Sequence, residues 1–436
     1  MSIVIFLLLF AFSVWFFTKN IRKISKNIHS GRVYNPPGTF NDRLSTMLKV
    51  ALGQGKMFSR PLSAAMHVFV YVGFVLINIE VVEMFADGIT GSHRLFHGLG
   101  SFYNFLIAFF EVLAFLVFTG VVVFWFRRNF GRIKRFISSD LNGFPRLDAN
   151  IILVAEIFMM SALLIMNAAD QVLQQSNHPG YHQAGSFPIS GYIVPFFKNM
   201  DSSTLVIIER SAWWFHIVGI FAFLNYLPFS KHLHIILAFP NTFFTSIKPM
   251  GQLNNLDAVT DVVKPNFDAS YVPQPVDPNT PPVAFGAKDV MDLNWKQLLD
   301  AYTCTECGRC SSSCPANITG KKLSPRKIMM STRDRLEDVA KNREANGGNF
   351  VEDGKTLLYD YISPEELWAC TSCNACVQEC PVNIDPLSII VDMRRYLVME
   401  KSEAPAELNG MFSNMENNGA PWQFSPADRM NWVNEN

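Results

Sequence analysis

All eight cysteines of this chain fall into one pattern, written twice. The first copy reads CTECGRCSSSCP, with Cys304, Cys307, Cys310 and Cys314 followed by Pro315. The second reads CTSCNACVQECP, with Cys370, Cys373, Cys376 and Cys380 followed by Pro381. Each cysteine of the second copy lies 66 residues after its counterpart. A C-x2-C-x2-C-x3-C-P run holds paired [4Fe–4S] clusters, and its fourth cysteine ligates the other cluster. The spacing therefore predicts Cys304, Cys307, Cys310 and Cys380 on one cluster. Cys370, Cys373, Cys376 and Cys314 are expected on the second. Zinc favours two C-x2-C pairs or cysteine mixed with histidine. Disulfides suit small secreted domains. Neither fits four close cysteines repeated, so the pattern points to a chain that moves single electrons.

Lys+Arg and Asp+Glu both number 37, a balance that argues against a nucleic-acid partner. Hydrophobic residues make up 49% of the 436, and they are unevenly placed. Nearly all the long apolar runs lie before about Phe244, and the remainder is polar. This predicts a mostly α protein: a five-helix transmembrane bundle followed by a helical ferredoxin-like domain with two [4Fe–4S] clusters. The expected parts are a membrane domain over 1–245, a proline-rich linker over 246–290, a dicluster domain over 291–400 and a tail over 401–436.

Five runs are long and apolar enough to span: Ile3–Phe17, Leu62–Phe85, Phe102–Phe126, Ile151–Ala169 and Leu205–Leu227. The first lacks a basic leader and a small-residue cleavage site, and reads as an uncleaved anchor. Lys19, Arg22, Lys23 and Lys26 follow it. Arg127, Arg128, Arg132, Lys134 and Arg135 follow the third run, and Lys231 follows the fifth. The opposite loops carry only Arg94 and Lys198 as basic residues. By the positive-inside rule the N-terminus is expected outside and the iron–sulfur domain on the cytoplasmic side of the membrane.

Histidines inside spans are functional candidates. His67 lies a turn or two inside the second span, His216 deep in the fifth, and His234 at or beyond the fifth's cytoplasmic end. Eighteen residues separate His216 from His234. On one straight helix that is five whole turns, so both would face the same way about 27 Å apart. Pro228 lies between them, and a kink there would weaken the alignment. A b-type haem held by His67 and His234 is expected, with His232 in reserve. A second haem would use His216 with His93 or His97. As simple bundle or interface residues these histidines would only make hydrogen bonds. Glu80, Glu111, Glu156, Asp170 and Glu209 also lie in spans, where acids mark proton or quinone paths or pair with a base such as Arg210.

The stretch Lys248–Lys288, including VPQPVDPNTPPV, reads as an extended connector. Helices are expected over Met291–Tyr302, over Ser324–Arg343 with Ser324 as N-cap and Pro325 first, and over Leu387–Met399. Trp422 and Trp432 in the polar tail suggest docking onto a partner.

The membrane half, by its span count and histidines, resembles the gamma subunit of respiratory nitrate reductase and the membrane subunit of heterodisulfide reductase. That family places two histidines ten apart on the second span and two on the fifth. His67, His216 and His234 match three of these, and Ile77 stands at the fourth. The cysteine half, from about Asp292, resembles the iron–sulfur subunit of heterodisulfide reductase. Together they resemble the front part of membrane-bound electron-transfer-flavoprotein:menaquinone oxidoreductases, in which a CCG-type catalytic region follows. No such region follows up to Asn436, so the resemblance implies a partner subunit that bears it. It also implies a flavoprotein donor and menaquinone as acceptor. The reverse flow, from quinol to a disulfide or sulfur-compound reductase, and a haem-free membrane-tethered ferredoxin are the rival expectations.

Overall fold

The computed structural model describes residues 2–273 and 284–435, and every extended regular element among them is a helix. Five of these helices are long and apolar enough to cross a membrane: Ser2–Ile28, Pro61–Thr90, Ser101–Asn129, Phe144–Gln175 and Ser202–Tyr226. Local chemistry sets their ends. Pro61 begins the second span, where a missing N–H costs nothing, and Gly91 ends it at φ 75°. Asp201 caps the fifth, accepting a hydrogen bond from the Thr204 N–H at 2.9 Å.

The fourth span packs along the third and fifth, the second along the third, and the first against the second and fifth. Small residues allow close approach, as in other membrane bundles. A Cβ on Gly88 would stand 2.5 Å from the Phe6 ring. Phe6 is 1% exposed and sits in a core with Ile77, Met84, Trp213 and Phe221.

The first span runs further than its apolar stretch. It continues through all four of its basic residues to Ile28, 27 residues in all. At 1.5 Å per residue this is about 40 Å, more than the roughly 30 Å hydrocarbon core. The excess turns enter the second domain. Ile24 and Ile28 join the core of Leu298, Ile328, Leu336 and Ile390. Asn27 donates to the Tyr302 hydroxyl at 2.9 Å, and Lys23 pairs with Glu344 at 2.8 Å.

His216 and His234 do not share one straight helix, which corrects the expected alignment. The fifth span ends at Tyr226, a 3-10 turn covers Leu227–Phe229, and Ser230 is extended at φ −118°, ψ 147°. A second 3-10 turn covers Lys231–Leu233, and a new helix runs over His234–Phe243. Pro228 has no N–H to continue the ladder.

The connector is not wholly extended. A short helix, Asp257–Val263, and a 3-10 turn, Lys264–Asn266, interrupt it. Most of VPQPVDPNTPPV, residues 274–283, lies outside the described residues. Beyond it, the expected helix from Met291 starts later, at Trp295. Asn294 outcompetes the earlier start by capping the Lys296 and Gln297 N–H groups, and Gln297 caps back. Ser324 caps Pro325–Ala345, and Asp385 caps Pro386–Met399. In the tail, a helix covers Ala406–Asn418, while Trp422 and Trp432 are 53% and 70% exposed.

Candidate metal centre and the histidines beside it

The two cysteine loops are copies in backbone as well as in sequence. Glu306 and Ser372, 66 residues apart, both take φ 54°. Gly308 and Asn374, at the same offset, take φ 69° and 59°. Each left-handed step leads into a single helical turn, Arg309–Ser313 or Ala375–Glu379. Each turn then ends on an extended cysteine, Cys314 or Cys380. The two short turns pack against one another, which carries each fourth cysteine towards the opposite loop.

Cys304, Cys307, Cys310 and Cys380 line one pocket, with Cys376 on its wall. Around the other loop, Cys370 feels the charges of Cys314 and Cys373, and Cys376 feels those of Cys370 and Cys314. Among the described residues, no three His, Cys, Asp or Glu side chains meet as ligands of a single ion do. Burial pushes the Cys304 and Cys380 thiols up to about 12. Burial also raises Cys310, Cys370 and Cys376. Metal binding must therefore drive the protons off. Backbone donors are already aimed at sulfur. The Ser372 N–H points to Cys370 Sγ at 3.4 Å and the Ile384 N–H to Cys380 Sγ at 3.2 Å. Such donors stabilise thiolates and tune cluster potential. The donor set and the repeated loop fit two cubane clusters.

Basic side chains of the bundle fasten this centre from below. Lys56 Nζ reaches the Val377 carbonyl at 3.3 Å, and Arg60 pairs with Glu379 at 3.3 Å. From the other side, Arg309 Nη1 donates to the Lys56 carbonyl at 3.1 Å.

Three imidazoles gather at this end of the bundle. His67, in the second turn of Pro61–Thr90, lies within the electrostatic reach of His234 and Arg309, and its buried Nδ1 has no partner. The His232 and His234 rings stand 5.6 Å apart and perpendicular. Burial, then the nearby His234 and His67 rings, pull His232 down to about 3. Burial also lowers His234, against the hydrogen bond to the Lys231 carbonyl. Both are therefore neutral. His234 Nδ1 lies 3.0 Å from the Lys231 carbonyl. A carbonyl only accepts, so Nδ1 carries the proton and Nε2 keeps a free lone pair, the tautomer of a metal ligand. His216 has the same arrangement, with Nδ1 2.9 Å from the Met159 carbonyl. These neutral imidazoles have the donor chemistry that a haem iron would take. Ile77, in contrast, is an apolar core residue with no ligand atom.

The other candidates are engaged elsewhere. His93 Nε2 lies 3.1 Å from Asp170 Oδ1, and its ring meets Tyr181. His97 bonds the Arg94 carbonyl and stacks on His182 at 5.0 Å. Glu209 pairs with Arg210 and accepts from the Tyr181 hydroxyl, so it follows the pairing alternative. Asp170 holds the buried Arg94 guanidinium at 2.6 Å, and Arg94 also donates to Asn167 at 2.9 Å. Arg94 was legible as the lone base of its loop, yet its buried partners were not.

Sequence reasoning missed the link between the centre and the histidines. Glu306 sits between Cys304 and Cys307 and is buried. It pairs with Lys231 and with Arg333, the latter at 2.9 Å. Burial pushes the Glu306 carboxyl up, but Arg333 and Lys231 overcome it and hold the group below the usual range. The carbonyl of that same Lys231 receives His234. Asp148 fixes the turn by accepting from the Lys231 N–H at 3.1 Å, Ser230 Oγ at 2.6 Å and Tyr226 Oη at 2.7 Å. The signals were an acid inside CTEC and a lysine inside KHLH.

Residues 303–384 match the family model for the 4Fe-4S dicluster domain. The chain is 27% identical to the probable iron-sulfur-binding oxidoreductase FadF of Bacillus subtilis, across 99% of this chain and 60% of that protein. It is 28% identical to the EtfAB:quinone oxidoreductase of Syntrophomonas wolfei, across 90% of this chain and 54% of that protein. A probable membrane-anchored ferredoxin of Chromohalobacter salexigens is 33% identical across 34% of this chain and 24% of its own length. The chain thus spans little more than half of the first two relatives. No solved structure matches it. Residues 303–384 are therefore a 4Fe-4S dicluster domain, carried on a membrane-type helical bundle in a chain similar to iron–sulfur oxidoreductases.

Proposed function

We propose that this chain is the membrane electron-transfer subunit of a quinone-linked oxidoreductase. Electrons pass between a cytoplasmic redox partner and menaquinone. The partner is a heterodisulfide-reductase-like CCG protein fed by electron-transfer flavoprotein, and the basic end of the bundle faces the cytoplasm. When bound, two [4Fe–4S] clusters and a b-type haem supply the one-electron carriers. Cys304, Cys307, Cys310 and Cys380 hold one cluster, and Cys370, Cys373, Cys376 and Cys314 the other. His67 and His234 hold the haem. His216 is the remaining candidate for a second haem.

One observation carries this reading. Lys231 joins the loop of Cys304 and Cys307, through Glu306, to His234, through its own carbonyl. One residue thus touches the cysteine loop with its side chain and the imidazole with its backbone. The chain fixes spacing, tautomer and local charge; the name of one relative, an EtfAB:quinone oxidoreductase, supplies the quinone and the flavoprotein.

The membrane-anchored ferredoxin relative and Ile77 favour a second reading, in which the spans carry no haem and serve as scaffold. Anaerobic mixing of purified protein with menaquinol, and separately with reduced flavoprotein plus partner, tests the proposal. Cluster bleaching by reduced flavoprotein with reoxidation by menaquinone is the expected result. Bleaching by menaquinol alone reverses the assigned direction, and no quinone response from either side overturns the proposal.

A further inference from the structure

A second cavity opens beside the centre, at the basic end of the bundle. It is an open pocket lined by Arg60, Pro61, Leu62, Ser63, Arg127, Ile133, Lys134, Arg135 and Ser312. Four of these are cations and none is an acid. Arg60 is answered by Glu379, and Arg127 donates to Ser63 Oγ at 2.9 Å. Arg135 has no hydrogen-bond acceptor for its buried Nε and Nη1; Arg60, Arg309 and Arg127 crowd it with like charge, and Cys307 of the first cysteine loop is the negative group that acts on it. A buried charged donor without a hydrogen-bond acceptor is costly, and Cys307 supplies charge but no hydrogen bond to these two nitrogens, which an oxyanion would supply.

The same cavity receives the start of the 30-residue helix Pro61–Thr90. No side chain caps that end. The first-turn N–H groups of Leu62 and Ser63 are open, and the helix dipole adds positive potential there. Open N–H groups, a dipole and a guanidinium fork are the means by which proteins hold phosphate. The lip is apolar, with Leu62 61% exposed, and it lies where a span meets the membrane surface.

We propose that this pocket binds a phosphate group, from an anionic lipid headgroup or from free phosphate. The Arg135 fork and the Leu62 and Ser63 N–H groups grip the oxygens. Arg60, Arg127 and Lys134 neutralise the charge. The inference is independent of haem and of the direction of electron flow.

The test compares wild-type full-length protein with Lys134→Gln/Arg135→Gln, both shown to keep their iron. Binding is measured to discs of phosphatidylcholine with and without an equal amount of phosphatidylglycerol, and to inorganic phosphate in detergent. The wild type should bind about tenfold more tightly than the double variant to one of these probes. A difference with phosphatidylglycerol only assigns the site to lipid; a difference with inorganic phosphate assigns it to a free anion. Should the double variant lose iron, the exposed Lys134→Gln change alone is compared, with Lys341→Gln as a distant control. Equal binding of both probes to wild type and variant overturns the proposal, leaving the cations to serve the cluster charge alone.

Discussion

Gly308 and Asn374 occupy the same step of the two cysteine loops and meet different surroundings. A Cβ on Gly308 would stand 2.6 Å from Arg326 Nη1, at φ +69°. Gly308→Ala combines left-handed strain of about 1 kcal/mol with that clash, so the first cluster should be lost more readily in denaturant. Asn374→Gly should leave both clusters in place, because the step itself is kept. Iron retention against denaturant checks the pair. A second prediction concerns the crosswise ligand. Cys380→Ser should remove the same cluster signal as Cys307→Ser and spare the one lost with Cys373→Ser, read by electron paramagnetic resonance. Loss of the Cys373 signal instead would assign Cys380 to its own loop. At this scale the dicluster domain was legible because cysteine spacing is local chemistry. Lys231 and Glu306 were not, because 75 residues separate two charges whose meeting depends on the fold.

The helices were largely readable, since unbroken apolar runs and capping residues act locally. Pro325–Ala345 begins where Ser324 and Pro325 said it would. The first span was misjudged at its far end. Lys19 to Lys26 look like a stop, yet helix propensity favours continuation, and Ile24 and Ile28 find a core in the second domain. Ile28→Ala should therefore destabilise the dicluster domain by about 2 kcal/mol, although Ile28 lies in a membrane helix. Equilibrium denaturation followed by cluster absorbance measures this. The break after Tyr226 was hidden for the opposite reason. Pro228 warned of a kink, but the extended Ser230 answers to Asp148, a residue on another span.

The whole molecule depends on how the dicluster domain seats on the bundle. Arg326, 1% exposed, crosses that seam to Asp140 at 2.5 Å and to the Arg135 carbonyl at 2.7 Å. Burial pushes the Asp140 carboxyl up, but Arg326 outweighs it and holds the group below 3.8. The pair's stability is therefore present above pH 3.8 and is lost as pH falls through the lowered value. Asp140→Asn should remove that acid dependence and cost about 3 kcal/mol, since it strands a buried guanidinium. Acid titration of wild type and variant, followed by protease sensitivity of the seam, checks both effects. The division into bundle and cysteine domain was plain from composition, whereas their seam was not, because Arg326 at a helix start and Asp140 in a short turn lie 186 residues apart and both read as solvated. The central claim is that this seam joins a two-cluster domain to a haem held by His67 and His234. A dithionite-reduced optical spectrum of anaerobically purified full-length protein tests it most directly. The account predicts the sharp bands of a bis-imidazole b haem, abolished in His67→Ala. A fully iron-loaded protein with no such bands would contradict it.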